Sequence, residues 1–164
     1  MDASARQSRR ALGSTGRRNQ GFTVLETLAT LAIVAVVVGG TVLVWPRIHA
    51  ALQLEAAVQQ VASDLQSARV LAIASAGTVR LVFARGSSGY RRDRADDHGA
   101  YHLDVARSLP RGVAVADVNS GWDLTFSARG NAENGTVVLM DTRGVRRSLR
   151  INQRGRVTIL PAGA

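Results

Sequence analysis

Residues 21–45 read GFTVLETLATLAIVAVVVGGTVLVW, an apolar run with a single charge in it, Glu26. From Phe22 to Trp45 the run has 24 residues, about 36 Å of α-helix at about 1.5 Å per residue, against a bilayer hydrocarbon core about 30 Å thick. It is long enough to span a membrane, and the segments on either side take their meaning from it. Glu26 is the anomaly, because a carboxylate at the bilayer centre costs roughly 2–3 kcal/mol on insertion scales. The thirteen Leu, Ile, Val and Phe residues of the run return roughly 4–8 kcal/mol on the same scale. Insertion wins, but any apolar residue at position 26 would win more easily, so the acid is read as functional.

On the amino-terminal side, residues 1–20 are polar and rich in Ser, Gly, Asn and Gln, with Arg6, Arg9, Arg10, Arg17 and Arg18 opposed only by Asp2. Such a composition predicts a disordered tail, and its basic character keeps this end cytoplasmic by the positive-inside tendency. The chain has 164 residues and a formal charge of +9, and its 21 basic residues are all Arg. The leader holds five of these against one Asp, so without it the charge falls from +9 to +5. The high basicity is therefore weak evidence for a nucleic-acid partner. With no cysteine, a disulfide framework and a thiolate metal site are both excluded.

On the other side, Gly39, Gly40 and Pro46 weaken the helix over a short interval, since Gly costs about 1 kcal/mol and Pro about 3 kcal/mol in a helix interior. A kink or soft segment is expected there, or small residues packed against a neighbouring helix. From Ile48 the apolar positions Ala51, Leu54, Val58, Val61, Leu65, Ala68 and Ala72 step by three or four, one stripe of an amphipathic helix that Gly77 is expected to end. Burial of this stripe against the chain's own strands is the expected use. Beyond Gly77 the period changes to two, with Val79, Leu81 and Phe83 alternating against their neighbours. Further strands are expected over 100–106, 113–118, 122–127, 136–141, 145–151 and 156–160. Turns are expected at Leu109-Pro110-Arg111-Gly112, Asn134-Gly135, Arg143-Gly144 and Arg154-Gly155. Trp122, Leu124 and Phe126 are expected to supply much of the bulky core. Ala84–Gly99 reads as a mobile surface loop.

The junction Arg17-Arg18-Asn19-Gln20-Gly21-Phe22-Thr23-Val24-Leu25-Glu26 resembles the class III signal of type IV pilins and type II secretion pseudopilins. Leu65-Gln66-Ser67-Ala68-Arg69-Val70-Leu71-Ala72-Ile73 resembles the helix end of H-type minor pseudopilins (the GspH/FimT group). Leu109-Pro110-Arg111-Gly112-Val113, Leu124-Thr125-Phe126-Ser127-Ala128-Arg129-Gly130 and Gly155-Arg156-Val157 resemble the later landmarks of that group. The resemblance implies a type IV pilin-like α+β fold, whose long amino-terminal helix packs by its second half on an antiparallel β-rich domain. It implies a cleaved leader over 1–21, a transmembrane half over 22–45, an amphipathic half over 46–76 and a periplasmic domain over 77–164. It also implies cleavage between Gly21 and Phe22 by a prepilin peptidase/methyltransferase, N-methylation of Phe22, and Glu26 as an assembly charge. The new Phe22 ammonium would lie one turn from Glu26 on the same helix face, or the acid would meet the amine of a neighbouring subunit. The implied setting is a single-pass protein of the bacterial inner membrane, with other pseudopilins or pilins, the inner-membrane assembly platform and the lipid bilayer as partners. The implied function is that of a minor pseudopilin, a structural subunit of the type II secretion pseudopilus. The alternatives are a FimT-like minor pilin of a type IV pilus, and a single-span anchored periplasmic binding domain.

No nucleophile motif, P-loop or His-Glu-x-x-His pair is present, so no enzyme is expected and no cofactor. His49, His98 and His102 are too scattered for a metal site. Asp93, Asp96 and Asp97 lack the spacing and glycine of an EF-hand, and a solvated loop is the expected state. Within the same stretch Arg85, Arg91, Arg92 and Arg94 are diluted by these three acids. The DNA-contact candidates are instead Arg146, Arg147, Arg150, Arg154 and Arg156. In FimT-like DNA receptors a Gly-Arg-x-Arg motif near the end is associated with binding; here Gly155-Arg156-Val157-Thr158 lacks its second Arg, which argues against nucleic acid as a partner.

Overall fold

The computed structural model describes residues 23–161; the leader, Gly21 and Phe22 lie outside them. A single helical element, α1 (Val24–Ala74), contains Pro46 and continues through Gly39, Gly40 and Pro46 without a break in its helical assignment. A Cβ at Gly39 or Gly40 would meet nothing within 4 Å, so no contact within the chain requires a small residue there. The chain divides into two compact units after Thr41. The described part of the first is helix with its apolar side chains uncovered, among them Val24 at 76% exposure and Leu31 at 64%.

In the second unit α1 buries Leu54, Val58, Val61, Leu65, Ala68 and Ala72, with Ala57 and Ala62 beside them. Steps of four and three keep these positions on one face. The stripe is shorter than its sequence predicts, for Ile48 and Ala51 are exposed and the core on α1 starts at Leu54. The helix ends in a Schellman arrangement, with Gly77 N–H donating to the Ala72 carbonyl (3.1 Å) and Ala76 N–H to that of Ile73 (3.2 Å). The left-handed residue is Ala76 (φ 47°), not the glycine expected to end the helix; Gly77 supplies the next amide.

Two four-stranded antiparallel sheets follow. One holds β1 (Val79–Phe83), β2 (Gly89–Ala95), β3 (Tyr101–Ser108) and β5 (Asp123–Phe126) in the order β3-β2-β1-β5. The other holds β4 (Val113–Val118), β6 (Gly135–Asp141), β7 (Arg146–Ile151) and β8 (Val157–Ile159) in the order β4-β6-β7-β8. Val79, Leu81, Phe83, Leu124 and Phe126 of the first sheet and Val115, Val137, Leu139, Leu149 and Ile151 of the second join the α1 stripe in one core. Trp122 only flanks that core, because its backbone is left-handed (φ 76°) and β5 starts at the next residue.

Strand β2 corrects the expectation of a mobile loop over Ala84–Gly99. Its sequence, GYRRDRA, hides the strand because its charges are matched by the sheet. Arg80 holds Asp93 at 3.1 Å, Arg91 holds the same acid at 3.3 Å, and Arg92 meets Asp104 at 2.6 Å. Asp93 is thereby buried rather than offered to a cation. Asp96 accepts the His98 and Ala100 amides within the β2–β3 turn. Among the described residues no group of three or more His, Asp or Glu side chains is placed to hold a metal ion.

Two of the sequence landmarks meet where α1 rests on the domain. Arg69 Nε donates to the Gly130 carbonyl at 3.0 Å. A Cβ on Gly155 (φ 69°) would sit 2.5 Å from that carbonyl oxygen and 2.7 Å from Arg69 Nε. Gly99 is also left-handed (φ 79°) but has open space around it. Gly99→Ala is therefore expected to lose about 1 kcal/mol, the backbone term alone. Gly155→Ala adds a steric term and is expected to lose about 2–4 kcal/mol. Denaturant unfolding of the two variants in detergent measures the difference, and equal losses would mean that the Arg69–Gly130 contact yields without cost.

Candidate functional site

The start of α1 is built from local hydrogen bonds. Glu26 N–H donates to Thr23 Oγ1 at 3.2 Å and to the Thr23 carbonyl at 3.0 Å, so Thr23 caps the helix and Glu26 stands in its first turn. Thr-x-x-Glu is the spacing of a capping box, a signal in the sequence that marks the helix start. Thr27 Oγ1 donates to the Val24 carbonyl at 2.8 Å and Thr30 Oγ1 to that of Glu26 at 2.7 Å. Thr23, Thr27 and Thr30 are thus satisfied by the backbone of their own helix. The Glu26 carboxylate is exposed, and among the described residues no hydrogen bond or ion pair engages it. Gly21 and Phe22, the cleavage and methylation positions, lie outside the described residues. A carboxylate in the first turn also sits at the positive end of the helix dipole.

The remainder of α1 is fixed to the sheets by polar contacts around the apolar core. Tyr90 Oη donates to Asp64 at 2.6 Å, Arg107 meets Asp64 at 3.3 Å, and Gln60 donates to the Ser108 carbonyl at 2.9 Å. Burial, then the bond to Asp64, pushes the Tyr90 phenol well above its ordinary range; it stays protonated and keeps donating. On the second sheet, Arg147 reaches Glu55 of α1 at 3.2 Å.

That last contact separates the arginines grouped in sequence as DNA-contact candidates. Arg147 lies on the core side of β7 with Leu149 and Ile151, while Arg146 and Arg150 alternate to the opposite face. Arg146 and Arg150 are four residues apart, about 13 Å along a strand. Arg154 and Arg156 lie in and just past the β7–β8 turn, with their amides bonded to Asn152 Oδ1. The structure therefore does not gather the five into one patch. Nearby Arg143 is also engaged: its guanidinium donates to Asp141 Oδ2 at 2.8 and 2.9 Å. Asp141 Oδ1 accepts the Arg143 and Val145 amides at 2.8 and 2.9 Å, closing the β6–β7 hairpin.

The sequence matches the family model described as type II transport protein GspH over residues 57–159, most of the chain. The chain belongs to this family. A prokaryotic N-terminal methylation motif matches residues 16–42, the junction and most of the span. Among solved structures, the minor pseudopilin EpsH from the type II secretion system of Vibrio cholerae aligns with a TM-score of 0.59 and 12% identity, covering 68% of this chain and 99% of that one. The type IV minor pilin FimU of Pseudomonas aeruginosa strain PAO1 aligns with a TM-score of 0.56 and 20% identity, covering 68% of this chain and 90% of that one. At these identities the likeness is one of fold, the α+β type IV pilin-like fold. No curated protein matches the sequence. The GspH family is one of structural subunits, and this member carries an apolar helix long enough to anchor it in a membrane.

The Asp141 clamp makes a prediction about pH. Burial raises this carboxyl, but the Arg143 guanidinium and the two turn amides outweigh it and hold the group below the usual carboxylate range. A depressed pKa gives stability that is complete above the unfolded value of about 3.9 and is lost as pH falls through the folded value. Asp141→Asn is expected to lose about 1–3 kcal/mol near neutral pH. The gap between wild type and variant should stay constant down to about pH 5 and narrow below about pH 4. Urea unfolding across that range measures it, and a gap independent of pH would assign the effect to shape rather than charge.

Proposed function

We propose that this GspH-family minor pseudopilin is a structural subunit of a type II secretion pseudopilus, supporting protein export across the outer membrane, and that Glu26 governs its entry into the filament. In this reading a prepilin peptidase/methyltransferase cleaves between Gly21 and Phe22 and methylates Phe22. The subunit waits in the inner membrane with its amino terminus cytoplasmic and residues 77–164 in the periplasm, until the assembly platform adds it to other pseudopilins. The observation that carries the role of Glu26 is the state of its neighbours. Thr23, Thr27 and Thr30 are satisfied by the α1 backbone, so the carboxylate is the polar group of this turn still in need of a partner. The Phe22 amine of an adjacent subunit supplies an opposite charge, and pairing removes two charges from lipid. Gly39, Gly40 and Pro46 serve in this reading as the soft segment next to the end of the span, because Gly and Pro weaken a helix interior. The alternative of a type IV pilus minor pilin shares the processing steps and draws on likeness of fold.

Glu26→Val and Glu26→Gln test this. Both variants are expected to insert and to be processed, giving a mature mass that begins at methylated Phe22. Cross-linking to neighbouring pseudopilins is expected to fall at least about tenfold, the equivalent of 1.4 kcal/mol. Undiminished cross-linking would sink the pairing role, and an intact mass beginning at Met1 in cells with active prepilin peptidase would sink the processing scheme.

A further inference from the structure

Five positions of α1 from the end of the apolar run onward, Trp45, Pro46, His49, Ala50 and Gln53, face the end of the second sheet across a groove of about 410 Å3 closed by Arg111, Gly112 and Thr142. Spacings of four put Trp45, His49 and Gln53 on one helix side. The opposite wall is set by the β4–β6 ladder: Val113 pairs with Asp141, which brings the residues just outside each strand, Gly112 and Thr142, together. The cation here is Arg111, exposed and in no ion pair among the described residues. Arg143, next to Thr142 in sequence, is taken by Asp141.

We propose that this groove is a binding site for the phosphate headgroup of an anionic phospholipid in the leaflet on the domain's side of the membrane. The proposal rests on the reading that the run ending at Trp45 spans the bilayer. Depth selects the ligand. Trp45 closes the apolar run and is 63% exposed, the placement of an interfacial tryptophan. From Trp45, His49 lies about 6 Å and Gln53 about 12 Å along the helix axis. The headgroup layer occupies about 5–8 Å beyond the hydrocarbon on each side. The His49 ring and the Arg111 guanidinium across the groove therefore fall at phosphate depth. Arg111 donates in a fork that suits a phosphate, His49 and Gln53 add donors, and Trp45 and Pro46 present apolar surface towards the acyl chains.

The test is native mass spectrometry of the full chain in detergent, with phosphatidylglycerol or phosphatidylcholine added, on wild type, Arg111→Gln and Arg111→Lys. Wild type is expected to retain phosphatidylglycerol over phosphatidylcholine by about fivefold, the order of one arginine at an anionic surface. Arg111→Gln should abolish the preference with an unchanged melting temperature, and Arg111→Lys should recover part of it. Equal retention of the two lipids, or a preference indifferent to Arg111→Gln, overturns the proposal. Displacement of the lipid by inorganic phosphate at millimolar concentration would assign a free-anion site and also overturn it. Loss of cross-linking to neighbouring subunits in Arg111→Gln without any lipid preference would assign the groove to protein and overturn it as well. Alkaline extraction of membranes from the expressing cells separates the two readings: release of the chain defeats the span itself, whereas a chain that stays anchored without lipid preference defeats only the groove.

Discussion

One helix has to satisfy two solvents, and the rest of the structure follows from that requirement. Up to Trp45, α1 is apolar on every side apart from Glu26 and a few threonines, and the exposure of its described side chains suits lipid. From Leu54 it carries a single stripe, and only that stripe is buried. Fully burying a Val or Leu side chain is worth about 1.5–3 kcal/mol. Leu54, Val58, Val61 and Leu65 together thus supply about 6–12 kcal/mol, a quantity of the same order as the whole stability of a small domain. The two sheets share one core with the helix, whose stripe serves as a common floor for both. The helix needs the sheets to make its second half soluble.

The polar contacts around this core have a common design. At the helix–sheet seam Asp64 is engaged by Tyr90 and Arg107 and Glu55 by Arg147, and away from it Asp93 of β2 is engaged by Arg80 of β1 and by Arg91 of its own strand. No buried side-chain nitrogen or oxygen among the described residues lacks a hydrogen-bond partner. An unpaired group at these positions would cost more than the pair contributes, so such contacts act chiefly to fix register. Tyr90 shows how this works. Its ring stacks on Phe83 at 5.3 Å between centroids, while its hydroxyl ties β2 to α1.

Periodicity made most of this fold legible. A step of three and four from Leu54 to Ala72 and a step of two from Val79 to Phe83 correspond to burial residue by residue, and turn glycines placed the β6–β7 and β7–β8 connections. Strand β2 escaped because hydrophobic alternation was its missing signal. Its side chains are stabilised by partners on β1 and β3 that are distant in sequence, and no local pattern encodes a pairing such as Arg92 with Asp104. Trp122 escaped for a related reason, since composition promised a core residue and backbone geometry turned it aside. At the candidate site the acid itself was legible, as a charge where insertion energetics disfavour one. The state of its surroundings was not, because whether a threonine bonds its own helix or a neighbour's is decided by rotamers.

Glu26 gains meaning from where the core stops. Among the described residues none of the core precedes Leu54, and in the described part of the first unit the side chains are exposed. The carboxylate therefore contributes nothing to the folding of the sheets, and its removal exposes no cavity and orphans no buried donor. An acid kept in an apolar run against the insertion gradient, with the helix dipole and no side-chain partner among the described residues to stabilise it, leaves room for a partner from another chain. For a subunit whose core begins at Leu54, the partner proposed above is one that assembly supplies. A defect caused by losing the charge would then measure association between subunits, uncontaminated by loss of fold.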